Sequence, residues 1–237
     1  MNRRSISVYV YYGDDEYPVS LAARRRVDAL VPEAERLVCL ETLEGRADSA
    51  DAAMSILRQT LMALKTGGFF GGRRVVWLKD TNLFTDFRGG SWPDEVKAGV
   101  QALTALLEAG LPEGQILVVT AAKIDGRQKF LKVCKSLGEV EEYAMPEKSW
   151  AADQQAAARA REAFEAEGLT VDGEVAALFL EKVGVDSRLI ANEVMKLAVA
   201  LGDRKTVTRA DVEAVTTAGR SRMAWDWTEA VMERKIG

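Results

Sequence analysis

Thr66-Gly67-Gly68-Phe69-Phe70-Gly71-Gly72-Arg73-Arg74-Val75-Val76-Trp77-Leu78-Lys79-Asp80 joins a helical pattern to a strand pattern, and the reading of that junction decides the fold. Upstream, Asp48 to Lys65 places Met54, Leu57, Leu61 and Leu64 on one side of a helix. Downstream, Arg73 to Asp80 carries the apolar run Val75-Val76-Trp77-Leu78, the pattern of a strand covered on both faces. A strand of that kind belongs to a parallel sheet with helices on either side. Between helix and strand, two Gly-Gly pairs enclose Phe69 and Phe70. Glycines let the chain turn sharply and offer little bulk to cover the rings, which makes the pair a candidate for an exposed binding tip. The residues alone leave open the alternative that both rings fold under the loop into the core.

The same alternation extends in both directions. Ser5 to Tyr12, with Ile6, Val8, Val10 and Tyr12, reads as a first strand ending at Gly13-Asp14-Asp15-Glu16. A helix follows, with Asp14 or Asp15 as cap, Pro18 in its first turn, and Leu21, Val27, Leu30 and Val31 on its apolar face. Arg24-Arg25-Arg26 reads as a solvated face of that helix. Arg36 to Thr42 reads as a second strand. Beyond the junction, a helix starting near Trp92 with Pro93 in its first turn runs to about Ala109, and Gln115 to Ala121 is a fourth strand. A short basic helix carries Lys129, Lys132 and Lys135, and Glu139 to Tyr143 supplies a fifth strand. Past Met145-Pro146 the composition changes and Ala-rich helical patterns take over at Trp150 to Glu167, Asp172 to Val183, Ser187 to Leu201 and Thr206 to Thr216. Gly168, Gly184 and Gly202 read as stops, and Thr208 with Asp211 as a cap. Arg220 to Gly237, with Trp225, Trp227 and Val231, begins one more amphipathic helix, and the expectation is that the chain ends inside a further helical domain.

Composition narrows the chemistry. With 237 residues, 48% of them hydrophobic and 29% charged, the chain can bury a sizeable core, and no apolar run approaches the ~20 residues that cross a bilayer. The expected compartment is the cytoplasm. Cys39 and Cys134 sit in apolar segments without metal-ligand spacing and read as buried thiols. The absence of histidine excludes a Ser-His-Asp or Cys-His site within this chain, and a net charge of −4 argues against a generally basic nucleic-acid binder.

A nucleotide-binding P-loop needs a Gly-rich turn ending in Gly-Lys-Ser/Thr after the first strand, so that amides and a lysine meet phosphate. Here the turn is Gly13-Asp14-Asp15-Glu16-Tyr17-Pro18, whose three carboxylates repel a triphosphate and whose proline lacks a donor. Asp80 stands alone at the end of the third strand and reads as a turn residue, and Arg188, after Gly184-Val185-Asp186, reads as inert or ion-paired without a phosphate to sense. Lys129, Lys132 and Lys135, at i, i+3 and i+6, are candidate nucleic-acid backbone contacts, although a solvated helix face explains them more simply.

Several segments together resemble the delta subunit of the bacterial DNA polymerase III clamp loader. They are Val10-Tyr11-Tyr12-Gly13-Asp14-Asp15, Phe69-Phe70-Gly71-Gly72-Arg73-Arg74-Val75-Val76, and Ile116-Leu117-Val118-Val119 leading to Lys123-Ile124-Asp125-Gly126-Arg127. Val183 to Glu193 and Lys196-Leu197-Ala198 complete the set. The resemblance implies an AAA+-type five-stranded parallel sheet with flanking helices over 1–145, an all-helical lid over 146–218 and the first helix of a collar over 219–237. It implies a subunit without a working P-loop, catalytic residue, metal or cofactor, within a complex whose holoenzyme is a DNA-directed DNA polymerase. Its partners would be the sliding clamp (beta subunit), the other loader subunits through the collar, and primed DNA within the complex, with no membrane. The clamp-binding pair falls on Phe69 and Phe70, where many relatives have Leu before Phe. The alternatives are an active AAA+ ATPase motor subunit and a P-loop-derived adaptor for another partner.

Overall fold

The computed structural model describes residues 7–66, 72–87, 90–146 and 148–216. Phe69, Phe70 and the collar segment 219–237 lie outside the described residues. The chain divides into two units, residues 1–145 and 146–237.

In the first unit, β1 (Val8–Tyr12), β2 (Leu40–Glu44), β3 (Arg74–Lys79), β4 (Gln115–Ala121) and β5 (Glu139–Glu142) form a sheet in the order β2-β3-β4-β1-β5. Every pairing is parallel, which places helices in the connections. These are α1 (Glu16–Leu30), the short α2 (Arg36–Cys39), α3 (Ala50–Lys65), α4 (Asp94–Ala109) and α5 (Lys129–Leu137). Successive strand residues point to opposite faces, and the core divides accordingly. Tyr9, Tyr11, Val75, Ile116 and Val118 pack with Val19, Ala23 and Val27 of α1. Val8, Val10, Val76, Leu78, Leu117 and Val119 pack on the other face with Leu57 and Leu64 of α3, Leu103 and Leu107 of α4, and Phe130 and Cys134 of α5. Phe130 stacks on Phe84 with 3.8 Å between ring centroids.

Three expectations change here, one of them the buried Cys39, which is only half-buried. The apolar run Leu37-Val38-Cys39 belongs to α2, not to a strand from Arg36, and β2 begins only at Leu40. Leu37 is 99% exposed, so burial of the run does not enforce an extended conformation. Arg26 is more than a solvated residue. Its guanidinium lies 4.4 Å from the centre of the Tyr9 ring and donates to the Tyr11 hydroxyl at 3.0 Å and to Glu139 at 2.6 Å. It ties α1 to β1 and to edge strand β5, while Arg24 and Arg25 are exposed.

The second unit contains α6 (Ser149–Ala166), α7 (Gly173–Val183), α8 (Ser187–Leu201) and α9 (Arg209–Val215) around Phe164, Phe179, Ile190, Val194, Leu197 and Val212. Asp172 caps α7 and Asp186 caps α8, each accepting from a backbone N–H at 2.8 Å. Gly184 and Gly202 end those helices with φ of 84° and 57°. At α9 the box is reciprocal: Thr208 accepts from the Asp211 N–H, and Asp211 accepts from the Thr208 N–H at 2.8 Å. Arg204 adds a bidentate pair to the same carboxylate at 2.6 and 2.7 Å. Arg204 and then Thr208 hold the Asp211 carboxyl well below the usual range. A depressed folded-state pKa stabilises above the unfolded value and loses that contribution as pH falls. Asp211→Asn is therefore expected to lower the melting temperature at pH 7, with the gap to wild type shrinking below about pH 4, as read by thermal unfolding across pH.

Candidate functional site

The residues that flank segment 67–71, Thr66 after α3 and Arg74 at the head of β3, both bond to the start of β4. Helix α3 begins at Ser49, whose side chain accepts from Ala52 N–H at 3.2 Å, and runs to the last turn before the glycines. There the Met62 carbonyl accepts both the Thr66 N–H at 3.0 Å and the Thr66 hydroxyl at 2.8 Å, which closes the helix. The Thr66 carbonyl in turn accepts from the amide nitrogen of Gln115 at 2.7 Å. Gln115 opens β4 and is 2% exposed. On the far side, Arg74 N–H donates to the Gly114 carbonyl at 2.9 Å, and Arg73 donates to the Leu30 carbonyl at 3.1 Å. Gly114 has φ 78°, and a Cβ there would stand 3.1 Å from the Gly72 carbonyl oxygen, so the two backbones pass too closely for a larger residue. Met62, one turn before Thr66, is 68% exposed and adds an apolar side chain at the end of α3.

At the opposite end of the strands, two N–H groups of the turn after β1 are committed within the fold. Gly13 N–H donates to the Ala121 carbonyl at 3.1 Å and Asp15 N–H to the Tyr143 carbonyl at 3.2 Å. Asp14 accepts from Met145 N–H at 2.6 Å. Gly13 has φ 147°, and a Cβ on it would lie 2.1 Å from the Tyr143 oxygen. The segment after β5 therefore sits against the turn where a phosphate-binding loop would need free amides. Asp15, at the N-cap position, makes no side-chain cap bond to α1. Asp80 is a turn residue with φ 52°: its N–H donates to the Thr120 hydroxyl at 2.8 Å, and that hydroxyl donates back to its carboxylate at 3.2 Å. Lys79 lies 3.7 Å from the same carboxylate. Among the described residues no group of three or more His, Cys, Asp or Glu is placed to hold a metal ion.

Of the basic helix, Lys129 pairs with Glu108 at 2.7 Å, and Lys132 and Lys135 are exposed while Phe130, Leu131, Val133 and Cys134 face the core. Burial pushes the Cys134 thiol up to about 12, so it is protonated at neutral pH. Arg188 is exposed in the first turn of α8. Phe69 and Phe70 are outside the described residues, so the structure brings their flanks together with Gln115 and Gly114 and leaves the lysines apart on α5. Gln115 and Gly114 carry no motif in the sequence. A glutamine at the head of an apolar strand could have raised the question of what it bonds.

With this geometry in view, the sequence model described as DNA polymerase III, delta subunit, matches residues 9–143. The chain belongs to that family. The match includes β1 through β5 and segment 67–71. Among solved structures, the Bacillus subtilis DNA clamp loader delta protein matches with a TM-score of 0.65 at 21% identity, over 97% of this chain and 63% of its own. The chain thus spans under two thirds of that relative's length, and the likeness is one of fold. The Thermotoga maritima RuvB Holliday junction branch migration motor matches at TM-score 0.44 and 10% identity, over 88% of this chain and 60% of its own. Domain III of the Thermotoga maritima replication initiation protein DnaA matches at TM-score 0.43 and 13% identity, over 90% and 85%. A search of curated proteins finds no match.

In this delta-family chain, Gln115→Leu keeps the volume near the start of β4 and removes the donor to Thr66. The expected outcome is a loss of about 1–2 kcal/mol in urea unfolding, with faster hydrogen exchange at the Thr66 amide.

Proposed function

We propose that this chain is the clamp-gripping subunit of a DNA polymerase III clamp loader, binding the sliding clamp through Phe69 and Phe70 and holding it open for loading onto primed DNA. The observation that carries the reading is the mounting of segment 67–71 in a delta-family chain: both ends are tied to a fully buried strand through Gln115 and Gly114. A pair of rings presented from a fastened base loses little freedom on binding, which is how a small apolar tip becomes an energetic hot spot. The tip acts by binding the opened clamp more tightly than the closed ring, so the equilibrium shifts toward opening. Exposed Met62 adds apolar surface in the last turn of α3, seven residues before Phe69 in sequence.

The reading assigns 1–145 to clamp binding, 146–218 to a helical lid and 219–237 to the start of a collar that joins the other loader subunits. The work is placed in the cytoplasm. The subunit itself is non-catalytic. Supporting that role, the Gly13 and Asp15 amides and the Asp14 carboxylate are spent within the fold. Lys132 and Lys135, exposed on α5, are assigned as secondary contacts to the DNA backbone inside the complex.

Replacing Phe69 and Phe70 together with Ala should abolish calorimetric binding to the sliding clamp of the same organism, each ring contributing about 2 kcal/mol, or about thirty-fold. Unchanged affinity would remove the tip from this role. MgATP is expected to leave the melting temperature unchanged. A concentration-dependent rise, or measurable hydrolysis, would instead favour an active motor subunit.

A further inference from the structure

We propose that the outer face of α3 is a second arm of the clamp grip, on which Arg58, Met62 and Lys65 meet an acidic, partly apolar patch of the sliding clamp. This inference rests on the clamp-binding reading above. Between Asp51 and Asp80 the chain has no carboxylate side chain, although Asp and Glu outnumber Lys and Arg by 36 to 32 over its whole length. Five cations fall in that stretch: Arg58, Lys65, Arg73, Arg74 and Lys79. Three are engaged within the fold, Arg74 by Glu41, Lys79 by Glu44 and Arg73 by the Leu30 carbonyl. Arg58 and Lys65 are exposed and in no ion pair among the described residues. Lys65 complements the negative pole at the end of α3, but Arg58, two turns earlier, has no such role.

These two cations flank an apolar side chain that stands in solvent. Met62 is 68% exposed, while Leu57 and Leu64 of the same helix are buried. Arg58, Met62 and Lys65 stand at i, i+4 and i+7 and so share one side of α3 over about 10 Å. A solvated face accounts for the cations but not for a methionine between them. Methionine and arginine are enriched where proteins meet, and unpaired cations around an apolar centre match an acidic surface. A DNA backbone would use the cations and leave Met62 without a role.

Chain length links this face to the tip whatever course segment 67–71 takes. Thr66 closes α3 one turn after Met62, about 6 Å along the axis. Three further residues keep the Phe69 Cα within about 11 Å of the Thr66 Cα. A standard interface buries about 800 Å² on each partner, a patch on the order of 30 Å across. A partner that engages Phe69 and Phe70 is therefore wide enough to cover the last turns of α3. The face is also preorganised: Ser49 caps the helix, and Leu57 and Leu64 anchor it in the core, so little freedom is lost when it docks.

Calorimetry with the full chain and the sliding clamp of the same organism, at about 0.1 M and about 0.5 M salt, tests the arm. The double variant Arg58→Glu, Lys65→Glu is expected to bind about tenfold more weakly at the lower salt, with the gap narrowing at the higher as charges are screened. Met62→Ser is expected to lose about fivefold at both salts, because apolar contact is not screened. All three sites are exposed, and thermal unfolding checks that each variant is folded. Arg24→Glu with Arg25→Glu, the same change of charge at exposed positions of α1, is expected to leave affinity unchanged. An equal loss there would reduce the effect to net charge and overturn the proposal. Wild-type affinity in Arg58→Glu, Lys65→Glu, with binding still abolished in the Phe69, Phe70 double variant, would overturn the arm and leave the tip intact. Wild-type affinity in the Phe69, Phe70 double variant would overturn the tip, and the arm with it. If Arg58→Glu, Lys65→Glu weakens binding to a duplex DNA fragment and not to the clamp, the cations belong to a DNA backbone site and the proposal falls.

Discussion

β4 is buried along its whole length, and this constraint organises the loops at both of its ends. A polar group at either end of such a strand must find a partner inside the fold, because water cannot supply one. At the leading end the group is Gln115, whose amide reaches the Thr66 carbonyl. At the trailing end it is Thr120, whose hydroxyl locks Asp80 into a left-handed turn. One strand therefore holds Thr66, which precedes the segment that carries Phe69 and Phe70, and also engages the carboxylate of Asp80. The hydrogen bonds of two buried polar side chains thus pin the backbone at both ends of β4.

The turn after β1 is held from its other side by edge strand β5. β5 pairs with β1, and the chain leaving it runs past the turn after β1. Asp15 N–H and the Asp14 carboxylate bond to that passing segment, and Gly13 is the residue that lets it come so close. The acidic turn reads in the sequence as electrostatically hostile to phosphate. The geometry adds that the Gly13 and Asp15 N–H groups already have partners and that the Tyr143 backbone lies where a Cβ on Gly13 would stand.

Most of the fold was legible because its signals are local. Thr208 and Asp211 form the expected box, Asp172 and Asp186 cap their helices, and Gly184 and Gly202 end them, since capping depends on residues within one turn. The unbroken apolar run of β4 identifies a strand at Gln115–Ala121 with no boundary error. Leu37-Val38-Cys39 misleads because an apolar run carries no information about whether anything will cover it. Arg26 misleads in the opposite direction: in sequence it is one of three arginines, and only the fold sets its guanidinium over Tyr9 and against Glu139.

The residues that mark the proposed tip stand out in the sequence and those that brace its flanks do not, for a physical reason. Two phenylalanines between paired glycines are conspicuous at short range, whereas Gln115 lies 49 residues from the carbonyl it holds. No periodicity links residues at that separation; the link appears only when β3 and β4 pair in register, with Arg74 opposite Gln115. The same pairing brings Gly114 against Gly72, where any side chain on Gly114 would crowd the backbone leading into β3. A tip sequence transplanted onto another helix-to-strand loop would carry the rings without this footing. On the proposed reading, binding by such a transplant pays the entropy of ordering loose flanks, which Gln115 and Gly114 hold in place here through Thr66 and Arg74.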